Sequence, residues 1–254
     1  MSEQSLPSPL TATTPATVDD GAAAPAGGQT PAAVLWDLDG TLVNTEPYWM
    51  TAETELVAEH GLTWTYQDGL GLVGRPLLES AGLIAAHGVP LPPEEIVERL
   101  VGRMVEHLRD AVPWQPGARE LLDALREARI PCALVTMSYR VLAEAVVDAV
   151  PEGTFQVVVC GDEVTHGKPH PEPYLRAAEQ LGVDPAACVA VEDSRPGIAS
   201  ALASGARTVG VQVVVPVEPA PGLTRIASLE QLDVDRVRRV ASGETFDLLD
   251  AAPR

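Results

Sequence analysis

The sequence predicts an α/β fold in which a parallel sheet is interrupted, just after its first strand, by an all-helical insertion. Three observations carry this expectation. Ala33-Val34-Leu35-Trp36 is a short apolar run that ends abruptly in Asp37-Leu38-Asp39-Gly40-Thr41, and an unbroken run of this length suits a strand buried on both faces. From Pro116 onward, helical patterns alternate strictly with apolar strand patterns, as right-handed βαβ crossovers require. Between the two, residues 45–113 carry helical patterns alone.

Residues 1–30 are rich in Ala, Pro, Thr and Ser and have no basic segment ahead of a continuous apolar core. They read as a disordered tail rather than a signal peptide. After the first strand, Asn44-Thr45-Glu46-Pro47 starts a helix with proline in its first turn, and Gly61 stops it. LGLVGRPLLESAGLIAAHG is a loop followed by a second helix. A third, behind Pro92-Pro93, sets Ile96, Val97, Leu100, Val101, Met104, Val105 and Leu108 at helical spacing. Packed on one another, these helices form a cap domain over 45–113. Beyond Pro116-Gly117 the order is helix (ARELLDALREA), strand (CALVT), helix (Arg140 to Val150), strand (FQVVVC), helix (Glu172 to Leu181), strand (CVAVED), helix (Pro196 to Ser204, closed by Gly205) and strand (RTVGVQVVV). A short apolar element near Thr224 to Ile226 and a helix through Leu232 complete the core domain, 31–44 with 114–235. Residues 236–254 read as a C-terminal extension, frayed beyond about Gly243.

Composition narrows the function. Thirty-six acidic against 17 basic residues give a formal net charge of -19, which offers nothing to nucleic acid or an anionic membrane surface. With 46% hydrophobic residues the chain can bury a sizeable interior, yet it has no apolar run of about eighteen residues that would span a bilayer. Cys132, Cys160 and Cys188 are odd in number, show no C-x-x-C spacing and sit in or beside apolar runs. They read as reduced core residues of a cytoplasmic protein. A monomer acting on a small molecule is expected.

In an open α/β sheet, ligands bind outside the carboxyl ends of the strands, so the residues at those ends hold the chemistry. Strand alternation throws Asp37 and Asp39 to one side, and Gly40 lets the backbone turn beyond them. Carboxylates this close raise one another's pKa unless a cation lies between them. Thr136-Met137-Ser138 closes a second strand with hydroxyls and amides that could hold an oxyanion. Lys168, flanked by Gly167 and Pro169, is a candidate fixed positive charge. Glu192-Asp193 ends a third strand. Asp37, Asp193 or Glu192, a backbone carbonyl and waters make an oxygen-only site suited to Mg2+ rather than zinc.

Through WDLDGTLVNTEP, LVTMS, GKPHPEPYL and VEDSRPGI, over residues 31 to 232, the chain resembles the haloacid dehalogenase-like hydrolase superfamily. Within it, the similarity is to the helical-cap members that include β-phosphoglucomutase and sugar-phosphate phosphatases of the 2-deoxyglucose-6-phosphate type. The resemblance implies a Rossmann-like sheet ordered 5-4-1-2-3. It implies Asp37 as a nucleophile forming an aspartyl-phosphate, and Asp39 as general acid and base whose backbone carbonyl also ligates the metal. It further implies Mg2+ at Asp37, Asp39 and Asp193, with Glu192 a ligand either directly or through water, and Gly40, Thr41, Thr136, Met137 and Lys168 around the phosphate. Glu46, Tyr48, Gly74 and Arg75 fall where cap residues meet the leaving group. Leu72-Val73-Gly74-Arg75 lacks the lysine of the mutase's cap loop, which favours a phosphatase of small phosphomonoesters over a mutase. Asp39 argues against carbon–halogen chemistry, and a non-catalytic binding module is the reading from another class.

Overall fold

A computed structural model of the chain describes residues 1, 29–72, 75, 77–213 and 215–249. The reading of 1–30 as a tail therefore falls almost wholly outside the described residues. Strand β1 (Val34–Trp36) is buried on both faces, as its unbroken apolar run requires. It pairs in parallel with β2 (Cys132–Val135) on one side and β4 (Val189–Glu192) on the other. β3 (Val157–Val159) lies outside β2, and β5 (Arg207–Val211) then β6 (Leu223–Ile226) lie outside β4. The order 6-5-4-1-2-3 is the expected five-strand order with one further strand at the β5 edge.

Register decides where the chemistry sits. Trp36 is level with Leu134 and Val191, so Asp37, Thr136 and the Glu192-Asp193 pair leave the sheet at the same end.

Alternation along the strands feeds two apolar layers. Val34, Trp36, Leu134, Val189 and Val191 face one side, where α5 (Ala118–Glu127) and α9 (Val234–Ala241) contribute Leu121, Leu125 and Val237. Ala33, Leu35, Ala133 and Ala190 face the other, against Tyr174 and Ala177 of α7 (Glu172–Leu181) and Ala201 of α8 (Arg195–Ser204). So many small side chains let those helices approach the sheet closely.

Between β1 and β2 the chain forms α1 (Glu46–Glu59), α2 (Tyr66–Leu70), α3 (Leu77–Ala86) and α4 (Pro93–Asp110). The seven residues expected to line α4 are the seven it buries. α4 packs on α1, on α3 and also on α6 (Arg140–Val147). A single apolar cluster therefore runs from Leu56 and Leu100 to Val34 and Leu134. α2 was not anticipated; Thr65 and Asp68 start it with a reciprocal capping box.

Four expectations are corrected. The helix from Arg140 ends at Val147, not Val150. The strand after Gly205 stops at Val211, and Val213 and Val215 lie exposed. The helix through Leu232 is a 3-10 turn, Leu229–Gln231, followed by α9, which crosses the 235/236 boundary and buries Val237, Val240 and Ala241. Nor is the chain frayed just past Gly243: Arg225 N donates to Phe246 O and Leu248 N to Arg225 O, both at 2.9 Å. The outer edge of β6 has open backbone groups, and this segment satisfies them. Cys132, Cys160 and Cys188 are buried and free, and no described helix is long and apolar enough to cross a membrane.

Leu134 is fully buried at the centre of the larger cluster. Leu134→Ala is expected to lower stability by about 2–5 kcal/mol, read in urea denaturation as an earlier midpoint with an unchanged slope.

Candidate active site

The ammonium of Lys168 sits where three strand ends meet. Its Nζ donates to Asp37 Oδ1 at 2.6 Å, to Glu192 Oε1 at 2.6 Å and to the Val135 carbonyl at 2.9 Å. The three donors of the ammonium thus meet one acceptor each from the ends of β1, β4 and β2. The side chain is only 4% exposed. Burial opposes its charge, but the two carboxylates outweigh that and hold it protonated well above the usual lysine range.

Glu192 has no exposed surface, and both its oxygens are taken by protein donors. Oε1 receives Lys168 and the Tyr174 hydroxyl, the latter at 2.9 Å. Oε2 receives the Asp193 and Ser194 amides and the Ser194 hydroxyl, at 3.1, 3.2 and 3.0 Å. A Cβ on Gly197 would overlap this carboxylate, so the first turn of α8 closes over it only because that residue is glycine.

Asp37 is different. Its amide donates to Val191 O at 3.0 Å, tying it to β4. While Oδ1 faces Lys168, Oδ2 is buried with no hydrogen-bond partner. Burial and the Glu192 charge push its carboxyl up, Lys168 pulls it back, and Asp193 adds to the rise. Burial and Glu192 likewise raise Asp193 to about 7; Thr41 Oγ1 donates to its Oδ1 at 3.3 Å. Oxygens of Asp37, Glu192 and Asp193 lie within 4.8 Å of one another. An all-oxygen donor set, an unsatisfied buried carboxylate oxygen and acids raised by burial and by one another's charge together fit a hard divalent cation such as Mg2+.

Asp39 stands outside that cluster. Its Oδ1 accepts from Thr45 Oγ1 at 2.8 Å, and its Oδ2 from Thr136 Oγ1 at 3.2 Å and Ser138 Oγ at 2.7 Å. The Thr136 hydroxyl, expected to face an oxyanion, is thus given to Asp39. The Gly40 amide, also expected there, donates to Val43 O at 2.8 Å. What Gly40 supplies is a left-handed turn (φ 91°) and the missing Cβ whose place the Asp193 carboxylate fills. Met137 is partly exposed, its methyl packed close to Gly167 beside Lys168.

Of the cap candidates, Glu46 is brought near the site: burial and the charge of Asp39 raise its carboxyl. Tyr48 instead donates its hydroxyl to Ala111 O at 3.0 Å and lies against His107, joining the two ends of the insertion. Arg75 is spent on the Gly71 carbonyl and Glu79, and Gly74 lies outside the described residues. Tyr174 and Gln115, whose Nε2 donates to Gly40 O at 3.0 Å, were not foreseen. Ser138, whose hydroxyl the sequence sets beside that of Thr136 as a candidate for an oxyanion, donates to Asp39 as well, since residues two apart on an extended segment share a side.

With this geometry in hand, comparison with known proteins decides the family. The haloacid dehalogenase-like hydrolase family profile matches residues 31–205. The chain belongs to that family. Protein CbbY of Rhodobacter capsulatus is 37% identical over 192 residues, covering 70% of this chain and 83% of that protein. Fructose-1-phosphate phosphatase YqaB of Escherichia coli is 32% identical over 187 residues, covering 72% and 97%. Among solved structures, CbbY of Rhodobacter sphaeroides in complex with phosphate superposes with a TM-score of 0.70 at 27% identity, over 79% of this chain and 96% of that one. As a haloacid dehalogenase-like hydrolase the chain is an enzyme, and its match extends from three residues before β1 through α8, over every element that bears on Lys168.

Because Asp193 holds its proton more tightly in the fold than its ordinary value of 3.8 allows, this group binds more proton in the native state than in the unfolded chain across pH 4 to 7. Stability in EDTA is therefore expected to fall as pH rises through that window. Chemical denaturation at a series of pH values should show Asp193→Asn removing part of the slope, and Mg2+ flattening it in the wild type.

Proposed function

We propose that this enzyme is a Mg2+-dependent phosphatase that hydrolyses a small phosphomonoester, a sugar or polyol phosphate, through an aspartyl-phosphate. The observation that carries the reading is the buried Asp37 carboxylate, one oxygen fixed by Lys168 and the other unpartnered at the mouth of the sheet. Lys168 steadies the nucleophile and offers its charge to an incoming phosphoryl group. Asp37 attacks phosphorus, the bond from phosphorus to the ester oxygen breaks, and the leaving oxygen takes a proton from Asp39. Asp39 then removes a proton from water as that water attacks the aspartyl-phosphate, which releases inorganic phosphate and restores Asp37. Thr45, Thr136 and Ser138 hold Asp39 in the orientation both transfers need. Glu192 acts through Lys168. Asp37, Asp193 and the Asp39 carbonyl would hold Mg2+, whose charge would offset the repulsion between carboxylates and phosphate.

The sugar-phosphate class is supported by the name of the fructose-1-phosphate phosphatase relative, and a phosphoryl ligand by the phosphate in the CbbY structure. The cap helices, with the Glu46 carboxyl raised in part by the charge of Asp39, select the leaving group. Helices 45–113 act as a cap domain on the core, and the enzyme works as a monomer.

Hydrolysis of p-nitrophenyl phosphate is expected to require Mg2+, to fall to background in Asp37→Asn, and to drop about 10²–10⁴-fold in Asp39→Asn. Activity that survives EDTA or Asp37→Asn overturns the mechanism. Incubation with glucose 1-phosphate is expected to release inorganic phosphate; glucose 6-phosphate as the product would make the enzyme a mutase instead.

A further inference from the structure

The loop that delivers Lys168 carries a second set of metal-binding side chains on its outer side. His166 and His170 stand two residues before and two after Lys168, and Glu172 opens α7 two residues further on. Ligand atoms of the three lie within 4.8 Å of one another. The two imidazoles sit 4.6 Å apart and tilted by 33°. His166 Nδ1 is 2.9 Å from Glu172 Oε2, and the Glu172 amide reaches His170 Nδ1 at a long 3.2 Å. Glu172 is itself anchored: Oε1 accepts from the Thr165 amide at 2.7 Å and Oε2 from the His166 amide at 2.9 Å. These bonds hold its carboxyl below the usual range, so it is an anion at neutral pH.

We propose that His166, His170 and Glu172 form a site for a transition-metal ion of the Zn2+ type, separate from the acidic cluster at Asp37 and Asp193. The donor set decides the class. Two imidazoles and one carboxylate suit Zn2+ and its neighbours, whereas the carboxylates around Asp37 suit Mg2+. Tetrahedral Zn2+ with bonds of about 2.0–2.1 Å places its ligand atoms roughly 3.4 Å apart. The present spacing closes to that by rotation of two exposed imidazoles about an already fixed carboxylate. The contact between His166 and Glu172 and the long bond to His170 are what the ion replaces, and the open fourth position faces solvent. Since its ligands bracket Lys168 in the chain, the ion clamps the loop that holds the buried ammonium.

Isothermal titration of the full chain with Zn2+, in excess Mg2+, tests this. The wild type is expected to take up one equivalent more than the His166→Ala/His170→Ala double variant. Single substitutions should weaken that equivalent by about tenfold or more. Zn2+ should also raise the melting temperature of the wild type more than that of the double variant, while Mg2+-dependent hydrolysis by the variant, measured without Zn2+, stays at the wild-type level. Equal stoichiometry and affinity in wild type and double variant would overturn the site.

Discussion

A lysine buried among acids is the constraint on which the rest of this structure depends. Removing two carboxylates and an ammonium from water costs several kcal/mol for each ion. The arrangement persists only because every donor on Lys168 finds an acceptor and both oxygens of Glu192 find donors. Those partners come from the ends of β1, β2 and β4 and from α7, elements far apart in sequence. Holding Lys168 therefore requires the sheet order and register, and a one-residue slip in β1 would turn Asp37 away from it.

Around that ion pair the site divides its labour. Asp37 and Asp193 are left with raised carboxyls and incomplete compensation, the condition under which a divalent cation binds with advantage. Asp39, two residues from Asp37, is held instead by three hydroxyls. Two nearby acids thus live in different environments, one facing a charge and the other neutral donors, and acids separated in this way can take separate roles in one reaction. Glycines make the fit possible at two points: Gly40 yields its Cβ position to Asp193, and Gly197 yields its own to Glu192.

The insertion is bound to the sheet by more than its two connections. α4 packs on α6, and one apolar cluster includes residues of both the helices and the strands. Tyr48 links the N-terminal end of α1 to the segment after α4, and Gln115 ties the return strand of chain to the Gly40 carbonyl. The residues that enter and leave the insertion are in this way coupled to the turn that carries Asp39.

The strand order around Asp37 followed only from the family resemblance; by itself the sequence determined the alternation of strands and helices after Pro116, the helical nature of 45–113, and the placement of Asp37, Asp39 and Asp193 just past the ends of strands. These follow from local signals: apolar runs too short for helices, periodic Leu and Val positions, and acids set just past strand ends. Only the tertiary structure decided what each side chain faces. Thr136 and the Gly40 amide carry the expected chemistry in their atoms, yet one is given to Asp39 and the other to Val43. Tyr174 is helical and apolar in pattern, and nothing local tells that its hydroxyl ends on Glu192. The edge made by residues 246–248 consists of backbone bonds to β6, which side-chain periodicity does not record. Periodicity fixes which way a residue points within its own element; the partner it meets is set by long-range packing and the need to satisfy every buried polar group.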